Sequence, residues 1–397
     1  MLVLLTMCSL AAPLSLDMYT PAVPGMSAAL GATTSEINLT LVGYYLFLAI
    51  GLLVFGPLSD KSGRRPVLIG GIVAYLAASV VCALSVNVWM LIVARVAQAL
   101  GSGAMGAVCT AIAKDAVAAE QRERILAIIQ IMFVVGPAAA PLLGAGILAI
   151  ADWRATFWTL AGIAAVELVL ALRFRETLPT QKRSARSIPA TLGRLVVVGR
   201  NPSFLLFLIV GSAFEIGYMA YVSVGSYIYV DTFGFSPFGF SLFFATGSLM
   251  CAVGPAFWVW HARHTTVKRF TTWAIILSAA LGIGIATIGH ANAFLFCGLI
   301  LAFTFFDTAV KPYNVNILLL QQDGDTGSAA ALANFGRTFI GALGMCLVML
   351  PFPDFITAVG ALMFAGMAIA GIAWVVLLRG GFTLRGATGF DDDSWKE

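Results

Sequence analysis

A short basic segment between two apolar runs constrains this chain more than any other feature. Residues 56–65 read Gly-Pro-Leu-Ser-Asp-Lys-Ser-Gly-Arg-Arg, and a mainly apolar run lies on each side of them. Each run has about the 20 residues that a helix needs to cross a bilayer. The glycines at positions 56 and 63 permit close turns in which a side chain would clash. The pattern predicts two membrane-spanning helices joined by a tight polar connection.

The composition extends this prediction to the whole chain. Hydrophobic residues make up 60% of the sequence and charged residues 11%, whereas a soluble domain has about 25% charged residues. Lipid offers no hydrogen-bond partner to an open backbone, so the spans must be helices. We therefore predict an all-α membrane protein with twelve transmembrane helices. The predicted spans are 1–24, 37–56, 66–85, 88–112, 125–149, 154–172, 203–229, 237–260, 270–289, 293–319, 327–350 and 355–378.

The basic residues predict the orientation of these helices. Lys and Arg collect in alternate connections, while the opposite connections contain only Arg154. Because basic residues concentrate on the cytoplasmic side, both termini are predicted to be cytoplasmic. The first apolar run lacks a basic n-region and a cleavage site, so we interpret it as the first span rather than a signal peptide.

The longest polar interval divides the predicted spans into two groups of six. We predict an N-terminal six-helix bundle over 1–175, a cytoplasmic linker over 176–201, a C-terminal six-helix bundle over 202–379 and a disordered cytoplasmic tail over 380–397. The six cysteines all fall within predicted spans without a C-x-x-C pair, so we expect neither a metal site nor a disulfide framework. We also expect no cofactor and no nucleic-acid partner, since the basic residues are explained by topology.

The basic segment resembles the signature loop G-x-L-x-D-[RK]-x-G-R-[RK] between helices 2 and 3 of the major facilitator superfamily. The matching residues are Gly56, Leu58, Asp60, Lys61, Gly63, Arg64 and Arg65. The resemblance implies two rocking six-helix bundles, a location in the bacterial inner membrane and a monomer. It also implies a gating role for Asp60, whose carboxylate would bond near the start of helix 11. The alternative is that these charges only enforce topology.

Further motifs of the first half are similar to those of the drug–proton antiporters of the bicyclomycin/chloramphenicol resistance (Bcr/CflA) family. They are the L-D-M-Y-T-P-A-V-P ending of the first span at 16–24, the L-x-x-x-R-x-x-Q pattern at 91–98, and the segment that contains Gly136, Pro137, Pro141 and Gly144. The prolines bend that fifth helix and the glycines admit a close neighbour. The resemblance implies an antiporter helix, and ordinary helix packing is the alternative.

Two acids lie inside spans, where a charge costs at least about 2.5–3.5 kcal/mol on insertion scales. Asp17 lies in the first span, and Glu215 lies in the seventh, which is the counterpart of the first in the second half. Arg95 in the fourth span is a candidate cation for Asp17. We predict that these three residues couple transport to protons. A static Asp17–Arg95 pair that locks helix packing is the alternative.

The substrate cavity is predicted from polar and aromatic side chains of the same regions. Residues at helical spacing after Glu215 share one face, and an acid beside Tyr and Met suits amphipathic molecules. Asp307 and Lys311 are four residues apart and therefore able to pair. The predicted lining residues are Tyr19, Tyr218, Met219, Tyr221, Asp307, Lys311 and Arg337. A packed interhelical stripe and a structural ion-pair cluster are the alternatives.

These features favour a proton-driven exporter of small, fairly apolar compounds that works by alternating access. A transporter of one metabolite, such as a nucleoside, sugar or amino acid, is the second hypothesis, although few amides lie inside the spans. A membrane enzyme is disfavoured because the chain has neither an H-E-x-x-H motif nor an intramembrane protease pattern.

Overall fold

The computed structural model of the chain describes residues 1–115, 119–183, 188–322 and 326–387. Within these ranges the regular structure is helical throughout, which confirms the all-α prediction. The α-helices are α1 (Leu2–Asp17), α2 (Val23–Leu30), α3 (Thr34–Ser62), α4 (Arg64–Ala83), α5 (Val88–Asp115), α6 (Ala119–Leu148), α7 (Arg154–Leu172), α8 (Ile188–Gly199), α9 (Pro202–Ser212), α10 (Phe214–Tyr227), α11 (Pro237–His261), α12 (Val267–Ile288), α13 (Ala293–Leu320), α14 (Thr326–Leu347) and α15 (Phe355–Arg379).

Eleven stretches of the described residues are long and apolar enough to cross a membrane. They coincide with eleven of the twelve predicted spans. The remaining prediction, 125–149, falls on α6, in which Val135–Leu148 is a shorter apolar helix. The architecture is thus compatible with twelve transmembrane helices.

The first span is interrupted directly after its acid. Helix α1 ends at Asp17, a single turn of 3₁₀-helix covers Thr20–Ala22, and α2 follows. Pro21 and Pro24 cause this break, because proline has no N–H to donate to the preceding turn. Helix α2 then ends at Gly31, whose φ of 58° is the left-handed conformation that glycine adopts without strain.

The seventh span is interrupted in a comparable place. Helix α9 ends at Ser212, α10 begins at Phe214, and Glu215 lies in the first turn of α10. A short π-helical segment, Ile228–Thr232, closes the span. In transporters, breaks of this kind free backbone groups near coupling-ion and substrate sites. Each of the two intramembrane acids therefore lies beside an interruption of its own helix.

The predicted connection at 56–65 is more helical than its sequence suggests. Helix α3 continues to Ser62 and α4 begins at Arg64, so Gly63 alone links the two helices. Its backbone φ of 102° lies in a region that residues with a side chain rarely adopt. A glycine at this point lets the chain reverse direction within one residue.

The chain divides into two compact units. The first unit comprises Met1–Thr191 and Tyr229–Ser248, and the second comprises Leu192–Ile228 and Leu249–Glu397. The segment Tyr229–Ser248 follows the seventh span in sequence but belongs to the first unit, where the Ser241 hydroxyl donates a hydrogen bond of 2.9 Å to the Pro141 carbonyl.

The structure describes parts of the predicted linker and of the predicted tail. Helix α8 lies within the predicted linker over 176–201, and its exposed Val196 and Val197 give it an apolar surface. Within the predicted tail, 380–397, the Arg385 carbonyl accepts a hydrogen bond of 3.1 Å from the Gln321 amide at the end of α13. The rest of the tail, 388–397, lies outside the described residues.

Candidate functional site

Arg95 is the centre of a polar cluster within the first unit. Its side chain is completely buried. One terminal nitrogen, Nη1, donates to the Ser15 carbonyl at 2.9 Å and to Gln98 Oε1 at 2.7 Å. The Gln98 amide in turn donates to the Ser79 hydroxyl at 2.8 Å. This chain of bonds fixes the arginine against helix α1, two residues before Asp17.

Aromatic rings enclose the rest of the guanidinium. Its central carbon lies 4.1 Å from the ring centroid of Tyr44, 4.6 Å from that of Tyr19 and 5.8 Å from that of Phe157. The Nε and Nη2 atoms of Arg95 are buried without a hydrogen-bond partner among the described residues. Aromatic faces attract a cation but accept no conventional hydrogen bond. The arginine therefore keeps unused donor capacity.

Asp17 is 3% exposed and lies two residues after Ser15, whose carbonyl accepts the hydrogen bond from Arg95. The described residues nevertheless include no Asp17–Arg95 ion pair within 4.0 Å. The sequence-based alternative of a static, direct pair is therefore not the geometry of this structure.

The second unit contains a four-membered charge cluster around Glu215. Lys311 Nζ lies 3.0 Å from Glu215 Oε1 and 2.7 Å from Asp307 Oδ2. Arg337 Nε lies 3.7 Å from the same Glu215 oxygen. The Lys311 ammonium also lies 5.6 Å from the ring centroid of Tyr218. The formal charges of the two acids and the two bases thus cancel, and both carboxylates contact the same lysine.

The two acids of this cluster are buried, whereas its two bases are partly exposed. The side chains of Asp307 and Glu215 are 0% and 3% exposed, and those of Lys311 and Arg337 are 27% and 36% exposed. One oxygen of each acid, Glu215 Oε2 and Asp307 Oδ1, has no hydrogen-bond partner among the described residues. Each acid therefore uses one oxygen for the shared lysine and keeps the other buried without such a contact.

A small cavity of about 10 Å³ adjoins this cluster. Its polar lining comes from Lys311, Asn314, Asn334, Arg337 and Ser212. This volume is about the minimum that holds one water molecule, and water needs two to four polar partners. The polar lining therefore suits a water molecule next to the two bases.

Glycines bring a neighbouring helix into contact with the backbone beside each acid. A side chain at Gly144 of α6 would collide with the carbonyl of Met18, the residue after Asp17. A side chain at Gly344 of α14 would collide with the carbonyl of Ile216, the residue after Glu215. Helix packing at such a distance requires glycine. The two halves therefore hold the backbone next to their acids in the same way.

The same correspondence extends one step further along both helices. Gly136 packs against Pro13 of α1, and Gly336 packs against Leu208 of α9. The glycine pairs 136/144 and 336/344 have identical spacing in the sequence. Of these four glycines, the sequence analysis named only the pair in α6. The repeated spacing was a signal that would have identified Gly336 and Gly344 as well.

The basic connection is held together by Arg64, which is almost completely buried. Its guanidinium pairs with Asp60 at 2.6 Å and with Asp115 at 2.9 Å, and it donates to the Ser59 hydroxyl at 2.6 Å. Lys61 is exposed. The predicted contact of Asp60 with the start of helix 11 stays a prediction, and so does its gating role.

Glu176 caps the start of α4 from a distant part of the sequence. Its carboxylate accepts the backbone N–H groups of Arg64 at 3.0 Å and Arg65 at 3.1 Å, together with those of Thr177 and Leu178, both at 3.0 Å. Partial burial opposes ionisation, but these four hydrogen bonds outweigh it and lower the pKa of Glu176. Glu176 thus anchors the segment that follows the sixth span to the basic connection.

The predicted lining residues fall into two groups. Tyr218, Lys311 and Arg337 are partly exposed on the second unit. Met219, Tyr221 and Asp307 are buried there, and Tyr221 packs against Phe296 with ring centroids 6.1 Å apart.

In the first unit, Tyr19 is buried as well, with its hydroxyl 2.7 Å from that of Thr40. Sequence reasoning missed Tyr44, Phe157 and Ser15, which surround Arg95. An apolar stretch gives no indication of which aromatic residue faces a cation.

Comparison with known proteins places these features in a family. The family model of the Major Facilitator Superfamily matches residues 5–345. An uncharacterized MFS-type transporter of Bacillus subtilis, YdgK, is 33% identical over 254 residues, which cover 63% of each chain. A chloramphenicol resistance protein of Pseudomonas aeruginosa is 36% identical over 245 residues, which cover 61% of this chain and 57% of that protein. The matched part thus spans less than two thirds of either relative.

Solved structures agree with the fold. The crystal structure of a D-xylose–proton symporter superposes with a TM-score of 0.71 and 16% identity, covering 95% of this chain and 96% of that one. Identity at this level supports the architecture alone. The apolar helices, the family model and these relatives together lead to one conclusion: the chain is a multi-pass protein of the bacterial inner membrane and belongs to the Major Facilitator Superfamily of transporters.

Proposed function

We propose that the protein exports small, fairly apolar molecules in exchange for protons. The observation that carries this proposal is the presence of one buried acid at a helix break in each half, Asp17 beside Arg95 and Glu215 beside Lys311. A buried carboxyl group that changes its protonation as access alternates between the two sides couples a proton gradient to transport. The similarity to a chloramphenicol resistance protein supports a drug-like substrate.

The chemistry of each acid supports exchange. When Asp17 is protonated, the neutral carboxyl group suits its apolar surroundings; when it is ionised, Arg95 is close enough to stabilise the charge. Glu215 could alternate between the same two states, because its Oε2 has no hydrogen-bond partner among the described residues while its Oε1 contacts Lys311. Protonation from outside would favour substrate release, and deprotonation inside would favour substrate capture, provided that proton and substrate prefer different states.

Everted membrane vesicles test this proposal. A pH gradient is established, candidate compounds are added, and loss of the gradient reports exchange. We expect apolar drugs to dissipate the gradient with the parent protein, and Asp17→Asn and Glu215→Gln to abolish the response. Asp152→Asn is a matched control, since that carboxylate is 61% exposed in a loop.

Two outcomes would contradict the proposal. If both acid variants still respond, the assignment of the proton sites is wrong. If no apolar drug gives a signal but a nucleoside, sugar or amino acid does, the protein transports a metabolite instead.

A further inference from the structure

A cavity of about 500 Å³ opens on the first unit where α1 begins and α7 ends. Its wall includes the apolar side chains of Val3, Leu170 and Phe174 and the basic side chains of Arg173 and Arg175. The distribution of basic residues predicts that this end of the helices faces the cytoplasm. In that orientation, the cavity would lie where the hydrocarbon region meets the headgroups of the inner leaflet.

The two arginines are available to a ligand. Both are exposed, and neither has an ion-pair partner within 4.0 Å among the described residues. The one acid of the wall, Glu176, is held by four backbone N–H groups at 3.0–3.1 Å. Its carboxylate oxygens thus already have partners within the protein.

A ligand that fills this cavity needs both an anionic group for the arginines and an apolar part for the rest of the wall. Guanidinium groups bind phosphate oxygens in a planar, two-pronged geometry, while the apolar wall suits the first carbons of acyl chains. Basic pockets beside transmembrane helices on the cytoplasmic side bind anionic lipid headgroups. We propose that this cavity binds the headgroup of an anionic phospholipid from the inner leaflet. This site is separate from the two acid clusters and does not depend on the transported substrate.

Lipid titration of the full-length protein tests the proposal. Purified, delipidated protein in detergent is titrated with phosphatidylglycerol, with phosphatidylcholine and with soluble glycerol phosphate. Native mass spectrometry counts bound lipid, and the thermal unfolding midpoint reports stabilisation. The test variant is Arg173→Gln/Arg175→Gln. The matched control is Arg263→Gln/Arg379→Gln, which removes two exposed arginines of the second unit.

We expect the parent and the control to bind phosphatidylglycerol and to gain stability from it. The test variant should bind it about tenfold more weakly or worse, because two cations near an anionic headgroup are lost. If removing both arginines impairs folding, Leu170→Trp fills the cavity with the charges intact and should also displace the lipid.

Three results would overturn the proposal. They are unchanged phosphatidylglycerol binding by both variants, equal binding of phosphatidylcholine, and equal stabilisation by soluble glycerol phosphate. The last result would identify a site for free anions rather than for lipid.

Discussion

Removing the lysine shared by two buried acids should destabilise the second unit strongly. In Lys311→Met, Asp307 and Glu215 lose a cation at 2.7 and 3.0 Å, and only Arg337 remains, at 3.7 Å from Glu215. Deleting one partner of a buried ion pair costs about 3–5 kcal/mol. Because the Lys311 side chain is 27% exposed, the lower end, about 3 kcal/mol, is the expected loss.

A double-mutant cycle isolates this interaction. Asp307→Asn removes one of the two acids, so Lys311→Met combined with Asp307→Asn should recover part of the loss. Contacting residues in one network show coupling energies of about 0.5–3 kcal/mol, and the 2.7 Å contact between Lys311 and Asp307 favours the upper half of that range. The loss in Lys311→Met should also shrink at acidic pH, since a protonated carboxyl group no longer needs a cation.

Unfolding by sodium dodecyl sulfate in mixed micelles supplies the free energies. Arg263→Met is the control, because it removes an exposed cation of the same unit. A change below about 0.5 kcal/mol in Lys311→Met, the range typical of surface substitutions, would refute the idea that both acids depend on this lysine. Strict additivity of the two substitutions would refute it as well.

Three further substitutions test other parts of the structure. Glu176→Gln should lower the free energy of unfolding by about 1 kcal/mol at pH 7. Because the folded-state pKa of Glu176 is lowered, the stability difference between parent and variant should vanish as the pH falls through that pKa. A stability difference that does not depend on pH would contradict the capping role of the carboxylate. Glu167 is fully buried, and neither of its oxygens has a hydrogen-bond partner in the part of the chain that the structure describes. Glu167→Leu should therefore raise the unfolding midpoint and preserve transport. A folded but inactive variant would contradict this expectation and indicate that the acid takes part in transport. Gly344→Ala should impair transport, because the added methyl group would collide with the carbonyl of Ile216 beside Glu215. Gly298→Ala is the control and should transport normally, because the space around that residue is open. Equal transport by the two variants would show that the close contact at Gly344 is not required.

The sequence was most informative about the positions of the spans. An apolar segment of this length can cross a bilayer only as a helix. The predicted and observed spans therefore agree to within a few residues for most of the chain. The basic connection shows where such reasoning ends. Its glycines predicted a tight connection, but not that helix α3 continues to Ser62 and that Gly63 alone separates it from α4. Only the backbone geometry reveals that.

The neighbourhood of each acid was only partly predictable. A charge inside a span identified Asp17 and Glu215 without any structure. The bond from Arg95 to the Ser15 carbonyl depends on how helices α1 and α5 are rotated about their axes, and an almost uniformly apolar sequence does not reveal that rotation. The capping of α4 by Glu176 joins residues more than a hundred positions apart. Long-range pairs of this kind require the folded chain.

Proton release on substrate binding is the most direct test of the exchange mechanism. Detergent-solubilised protein in weakly buffered solution receives a saturating amount of a compound identified in the vesicle screen, and a pH indicator records the protons released. The account predicts release from the parent, a reduced release from Asp17→Asn and from Glu215→Gln, and none when the two substitutions are combined. Undiminished release from the doubly substituted protein would show that neither acid is the proton carrier.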